Sequence, residues 1–130
     1  MDGSQKMVDA ATRLTGQPAS RMAFQDVSYV EEFDGIWACA SLLHVPLVEL
    51  SDVMCRFRQA IPLSGIVYAS FKEGQGERTF DGRLFTDMNE SGVMALVASV
   101  EGLEIIQMWH TVDLRPDRSD RWLNVLLLRV

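Results

Sequence analysis

The sequence predicts an α/β fold, and three observations predict it. Helix-like and strand-like patterns alternate along the chain. Two long apolar strand patterns, Leu103–Val112 and Trp122–Val130, close it. Only the polar, Pro116-bearing stretch Asp113–Arg121 joins them, which marks an antiparallel pair. An Asp81-Gly82 step between Glu77–Phe80 and Arg83–Thr86 is a strong hairpin signal. Strand–helix–strand units that end in a hairpin describe a mostly parallel sheet with one reversed strand near its edge, here about five main strands plus the small hairpin.

Each element has local chemistry behind it. Ser4 suits the N-cap of a helix over Gln5–Thr15, which places Met7, Ala11 and Leu14 on one face; Gly16 and Pro18 stop it. Ser20–Phe24 reads as a short strand. Phe33–Cys39 reads as a strand buried on both faces, because Phe33, Ile36, Trp37, Ala38 and Cys39 show little alternation. Ser51 is expected to cap a second helix with Leu50, Val53, Met54, Phe57 and Ile61 as its apolar stripe, ended by Pro62 and Gly65. Ile66–Phe71 is the next apolar strand. Asn89 caps a third helix that turns Val93, Leu96, Val97 and Val100 inward. Gly92 weakens that helix by about 1 kcal/mol relative to Ala.

Composition excludes several function classes. The 130 residues suit one domain with a sizeable core. A net charge of −6 argues against nonspecific nucleic-acid binding, which relies on Lys and Arg at phosphates. The longest apolar runs, such as Val125–Leu128, fall far short of the roughly 18 residues of a membrane span. Met1–Lys6 lacks the basic-then-apolar order of a signal peptide. Cys39 and Cys55 form no CxxC pair and are expected to be reduced core thiols of a cytoplasmic protein. No set of His, Cys, Asp and Glu has metal-ligand spacing, and no nucleophile elbow or phosphate loop is visible. Gly74-Gln75-Gly76 opens no helix and reads as a flexible loop.

Several segments together resemble the class I S-adenosylmethionine-dependent methyltransferases, in particular small bacterial members that act on small molecules. Asp2-Gly3-Ser4-Gln5-Lys6-Met7 resembles the segment after that family's second strand, and Met22-Ala23-Phe24-Gln25-Asp26 the segment after its third. Phe33-Asp34-Gly35-Ile36-Trp37-Ala38-Cys39-Ala40-Ser41-Leu42-Leu43-His44 resembles the fourth strand and the loop facing the methyl donor. Gly65-Ile66-Val67-Tyr68-Ala69-Ser70-Phe71-Lys72-Glu73-Gly74 resembles the fifth. Arg115-Pro116 with Arg121-Trp122-Leu123-Asn124-Val125-Leu126 resembles the last hairpin. The resemblance spans essentially the whole chain, read as one truncated methyltransferase-like domain over residues 1–130. The family's first strand and its GxGxG turn have no counterpart in these residues.

The resemblance implies S-adenosylmethionine as cofactor and methyl transfer as reaction, impaired because the glycine-rich turn is missing. It implies Asp2 at the ribose, Asp26 at the adenine amino group, and Phe24 and Gln25 lining that pocket. On the acceptor side, Trp37 and Ser41 stand at or beyond the end of a parallel strand, where open α/β sheets place ligands. His44 is the candidate base, since methyl transfer can need a group that takes the acceptor's proton. Lys72, Glu73, Glu77 and Arg78 belong to the region that covers the acceptor site in the family. His110 and the mixed-charge loop Arg115–Arg121 read as structural. Two other functions follow from the missing strand: a non-catalytic homodimer that binds a ligand or partner, or one part of a split enzyme completed by another chain. In either case the apolar edge Phe33–Cys39 needs a cover, and a homodimer is the expected one.

Overall fold

The computed structural model describes all residues from Met1 to Val130. Its helices are α1 (Gln5–Thr15), α2 (Leu47–Ala60) and α3 (Glu90–Ala98). Its strands are β1 (Gly35–Ala38), β2 (Ile66–Lys72), β3 (Gly76–Phe80), β4 (Arg83–Asp87), β5 (Leu103–Val112) and β6 (Arg121–Arg129). Four strands form one sheet in the order β1-β2-β6-β5, and β3-β4 is a separate hairpin. β1 runs parallel to β2, while β6 is antiparallel to both of its neighbours. The expected order, a parallel unit followed by a reversed terminal strand, is present, with the parallel part confined to one pair.

The local signals account for most of these elements. Ser4 Oγ accepts from Met7 N–H at the start of α1, and Gly16, at φ 69°, ends it in the left-handed region. Asp81 and Gly82 take φ 53° and 72°, the paired positive values of a type I′ turn, so the β3-β4 hairpin closes as its sequence requires. Asn89 Oδ1 accepts from Gly92 N–H at the start of α3. A Cβ at Gly92 would stand 3.0 Å from Met88 Sδ, so the glycine that weakens α3 also lets it approach the preceding turn.

Alternate residues of β2 and β6, namely Val67, Ala69, Phe71, Leu123, Val125 and Leu127, join Leu50, Val53, Met54 and Phe57 of α2 and Val93 and Val97 of α3 in one core. Leu42, Val53, Val67, Leu123 and Leu127 are fully buried. Burying each such side chain contributes about 1.5–3 kcal/mol.

Several expectations are corrected. Ser20–Phe24 is no strand: Arg21 makes one isolated parallel bridge with Asp2, and Phe24–Asp26 is a 3₁₀ turn. After Asp2 the chain turns at Ser4 into α1, so the pairing stops. The strand expected over Phe33–Cys39 shrinks to Gly35–Ala38, and it is not buried on both faces. Trp37 is 74% exposed and Phe33 41%, because β1 has a neighbour on one side only. α1 buries only Val8; Met7, Ala11 and Leu14 face solvent. α2 starts at Leu47, after Pro46, rather than at a Ser51 cap. Its first N–H is taken by Glu77 Oε1 at 2.7 Å, a cap donated by the hairpin that no local pattern announces. Ser51 instead pairs with Ser99 at 2.9 Å. Cys39 is exposed and so is not the core thiol expected, whereas Cys55 is half-buried and packs against the core; both are free thiols. No helix is long and apolar enough to cross a membrane.

Candidate functional site

A cleft of about 600 Å³ opens beyond the C-terminal end of β1. Asp2 and Ser4 line it from the start of the chain, Phe24 and Gln25 from the 3₁₀ turn, Ser41 and His44 from the segment after β1, and Arg83 and Leu84 from the hairpin. Five of the residues singled out from the sequence therefore share one cavity: Asp2, Phe24, Gln25, Ser41 and His44.

The backbone explains the convergence. Asp2 N–H donates to Ser20 C=O and Met22 N–H to Asp2 C=O, so Asp2 ends a one-residue piece of sheet despite the lack of a strand. Asp2 Oδ1 accepts from Ser4 N–H at 2.8 Å and turns the chain into α1. After β1, Ala40 adopts φ 49°, uncommon for a residue with a Cβ, and Ser70 Oγ accepts its N–H at 2.7 Å. That bond from β2 fixes the turn that presents Ser41. Phe24 packs edge-on to Phe57 of α2, with ring centroids 5.7 Å apart, which anchors the 3₁₀ turn to the core.

His44 is held on both nitrogens. Nδ1 lies 2.9 Å from Leu84 C=O, which can only accept, so Nδ1 carries the proton of the neutral ring. The lone pair then sits on Nε2, 3.1 Å from Arg83 Nη2, and accepts from it. The ring also packs on Phe85 at 4.8 Å between centroids. The tautomer is thus the one a general base needs, with its basic nitrogen covered by a guanidinium.

The remaining sequence candidates lie elsewhere. Asp26 is exposed on the 3₁₀ turn and does not line the cleft. Trp37 lines a neighbouring groove and stacks on Tyr68, with centroids 3.9 Å apart and planes 15° from parallel. Burial under Trp37 pushes the Tyr68 hydroxyl above its usual pKa, and its O–H donates to Asn124 Oδ1 at 2.5 Å. Lys72, Glu73, Glu77 and Arg78 are occupied structurally: Lys72 pairs with Asp120, Glu73 with Arg121, Arg78 with Asp87, and Glu77 caps α2. His110 lies between Glu90 and Glu73, at 3.1 and 3.9 Å. In the β5-β6 connection, hydrogen bonds from Arg115 hold the Asp113 carboxyl down to about 2.

Sequence reasoning missed Arg83. It follows the Asp-Gly turn, so the hairpin was legible, but where its tip would pack was not. The donor set fits the nucleoside end of S-adenosylmethionine. Asp2 keeps one carboxylate oxygen without a protein partner, and the side of Gly3 that a Cβ would occupy is open. Among the residues lining the cleft there is no glycine-rich turn for the amino-acid end.

No protein-family model matches the sequence, and no curated protein resembles it. Solved structures share its fold. A SAM-dependent methyltransferase from Methanosarcina mazei matches with TM-score 0.76 at 11% identity, over 99% of this chain and 80% of its own. One from Mesorhizobium loti matches with TM-score 0.77 at 18% identity, over 98% and 78%. The 1,6-didemethyltoxoflavin-N1-methyltransferase of Burkholderia thailandensis, solved with 1,6-didemethyltoxoflavin and S-adenosylhomocysteine, matches with TM-score 0.75 at 15% identity. The chain covers 97% of itself in that match but 57% of the Burkholderia enzyme. The chain therefore has the fold of the S-adenosylmethionine-dependent methyltransferases.

Proposed function

We propose that this chain is a methyltransferase-like protein that retains the nucleoside and acceptor sides of an S-adenosylmethionine site and is catalytically impaired by itself. The observation that carries the reading is the cleft in which Asp2, Phe24, Gln25, Ser41 and His44 converge. Asp2 accepts from the ribose hydroxyls, Phe24 packs against the base, and the Gln25 amide bonds the adenine edge. When bound, the cofactor supplies an electrophilic methyl group.

On the acceptor side, Ser41 orients the substrate by hydrogen bonding at the end of β1. His44 Nε2 takes the acceptor's proton once Arg83 releases it. Its Nδ1–H bond to Leu84 keeps the ring in the productive tautomer throughout. The impairment has a physical basis: close, oriented contact with the whole cofactor is what an in-line displacement requires, and these residues grip only one end.

Titrating S-adenosylhomocysteine into the isotopically labelled protein tests this. Millimolar ligand should shift the Asp2, Gln25 and Ser41 amides, with a dissociation constant weaker than about 1 mM, or ~4 kcal/mol of binding free energy. Micromolar binding would overturn the impairment. Shifts absent from those three residues would overturn the site.

A further inference from the structure

A second cavity, of about 640 Å³, lies between the end of β2, the β3-β4 hairpin and the β5-β6 connection. It shares no lining residue with the cleft described above, so neither reading rests on the other. The two are joined only through Phe85, on which His44 packs from the cleft and Lys72 and Arg78 from the second cavity. Four cations line this cavity, Lys72, Arg78, Arg118 and Arg121, against three carboxylates, Glu73, Asp87 and Asp120. In a chain of net charge −6 that is a local reversal of sign.

The ion pairs there differ in quality. Arg78 is spent, since it donates twice to Asp87, at 2.5 and 3.3 Å. The other three cations are not. Lys72 and Arg118 share one oxygen of Asp120, at 3.5 and 4.0 Å, and Arg121 lies 3.2 Å from Glu73; none of these contacts has hydrogen-bond geometry. The Lys72 side chain is only 18% exposed, and its ammonium is held over the rings of Phe85 and Trp122. An ammonium so withdrawn from water needs acceptors for three N–H groups, and one loose carboxylate does not supply them.

We propose that this cavity binds the phosphate group of a small phosphorylated molecule, with Asp120 as the competing internal anion. Cations from three separate side chains, with the Ser119 hydroxyl on the same wall, suit a tetrahedral oxyanion. A planar carboxylate is held by the fork of one arginine instead. Asp120 is the acid that gives way. Asp87 is tied to Arg78, and Glu73 stays between Arg121 and His110. The Asp120 side chain is partly exposed and turns to water as the phosphate takes over Lys72 and Arg118. Phe80, itself exposed, offers the organic remainder an apolar wall, and the volume is that of a small-molecule pocket.

Phenyl phosphate, titrated at constant ionic strength and followed through the amide resonances of the labelled protein, tests this. The Lys72, Ser119 and Arg121 amides should shift with a millimolar dissociation constant. Asp120→Asn removes the competing carboxylate and should tighten binding about tenfold, whereas Arg118→Ala should weaken it about tenfold, the scale of one charge-assisted contact. Both residues lie in the connection outside the core, so neither substitution threatens the fold. Benzoate should bind at least about tenfold more weakly than phenyl phosphate. Absence of shifts at the three amides overturns the proposal. So does equal affinity in the wild type and either variant, weaker binding by Asp120→Asn, or benzoate binding as tightly as phenyl phosphate.

Discussion

β1 and β2 are adjacent, parallel and similar in sequence, Ile36-Trp37-Ala38 beside Val67-Tyr68-Ala69, yet they live in different surroundings. β2 has a strand on each side and is buried from Val67 to Phe71. β1 has one neighbour, and Trp37 is 74% exposed against 8% for its registered partner Tyr68. Apolar composition states what a segment can bury; the neighbours supplied by the fold state what it does bury. The same contrast separates the helices. α2 sends five residues into the core, whereas α1, with a fair apolar stripe, sends one inward.

Substitutions test that contrast, largest effect first. Phe71→Ala on β2 should cost about 3–5 kcal/mol in urea denaturation, through lost burial and the cavity left behind. Trp37→Ala on β1 should cost only about 0.5–1.5 kcal/mol, the value of its stacking on Tyr68. Equal losses would mean that β1 is covered in solution.

Tyr68→Phe removes the donor to Asn124 and should cost about 1–3 kcal/mol, because the amide oxygen is left buried without it. The same hydroxyl gives a pH signature. Its pKa is raised in the folded state, so its contribution is intact below the unfolded value of 10.0 and is lost as pH climbs from there through the folded value. Wild-type stability should fall over that alkaline range, and Y68F should lose that part of the slope.

Asn89→Ala should cost about 1 kcal/mol, the value of an N-cap. Leu14→Ala, 87% exposed on α1, should change stability by less than about 0.5 kcal/mol. A larger loss there would show a partner on the α1 face. The smallest effect is that of Asp113, whose pKa is lowered from 3.8 to about 2. Its contribution is present above pH 4 and lost as pH falls toward 2. An NMR titration of its carboxyl should show the low midpoint, and Arg115→Ala should return it to the ordinary range.

Signals that act within a few residues were legible in the sequence. The Ser4 and Asn89 caps, the Gly16 stop, the Asp81-Gly82 turn and the antiparallel pairing of β5 with β6 are set by local backbone chemistry and by period. The candidate site was legible in part: Asp2, Phe24, Gln25, Ser41 and His44 were named from short segments, and the fold gathered them. Glu77 capping α2 and Arg83 covering His44 were not, since each contact joins residues 30 or more apart in sequence. The exposure of Trp37 and Leu14 was also beyond reach, because the apolar pattern of a strand or helix is the same whether or not a neighbour arrives. Local chemistry alone set the caps, the hairpin turn and the direction of the terminal strands, while Ser20–Phe24, read as a strand, became a single bridge and a 3₁₀ turn. Only the tertiary structure decided which apolar faces are covered, because burial belongs to a pair of surfaces and the chain encodes each surface separately.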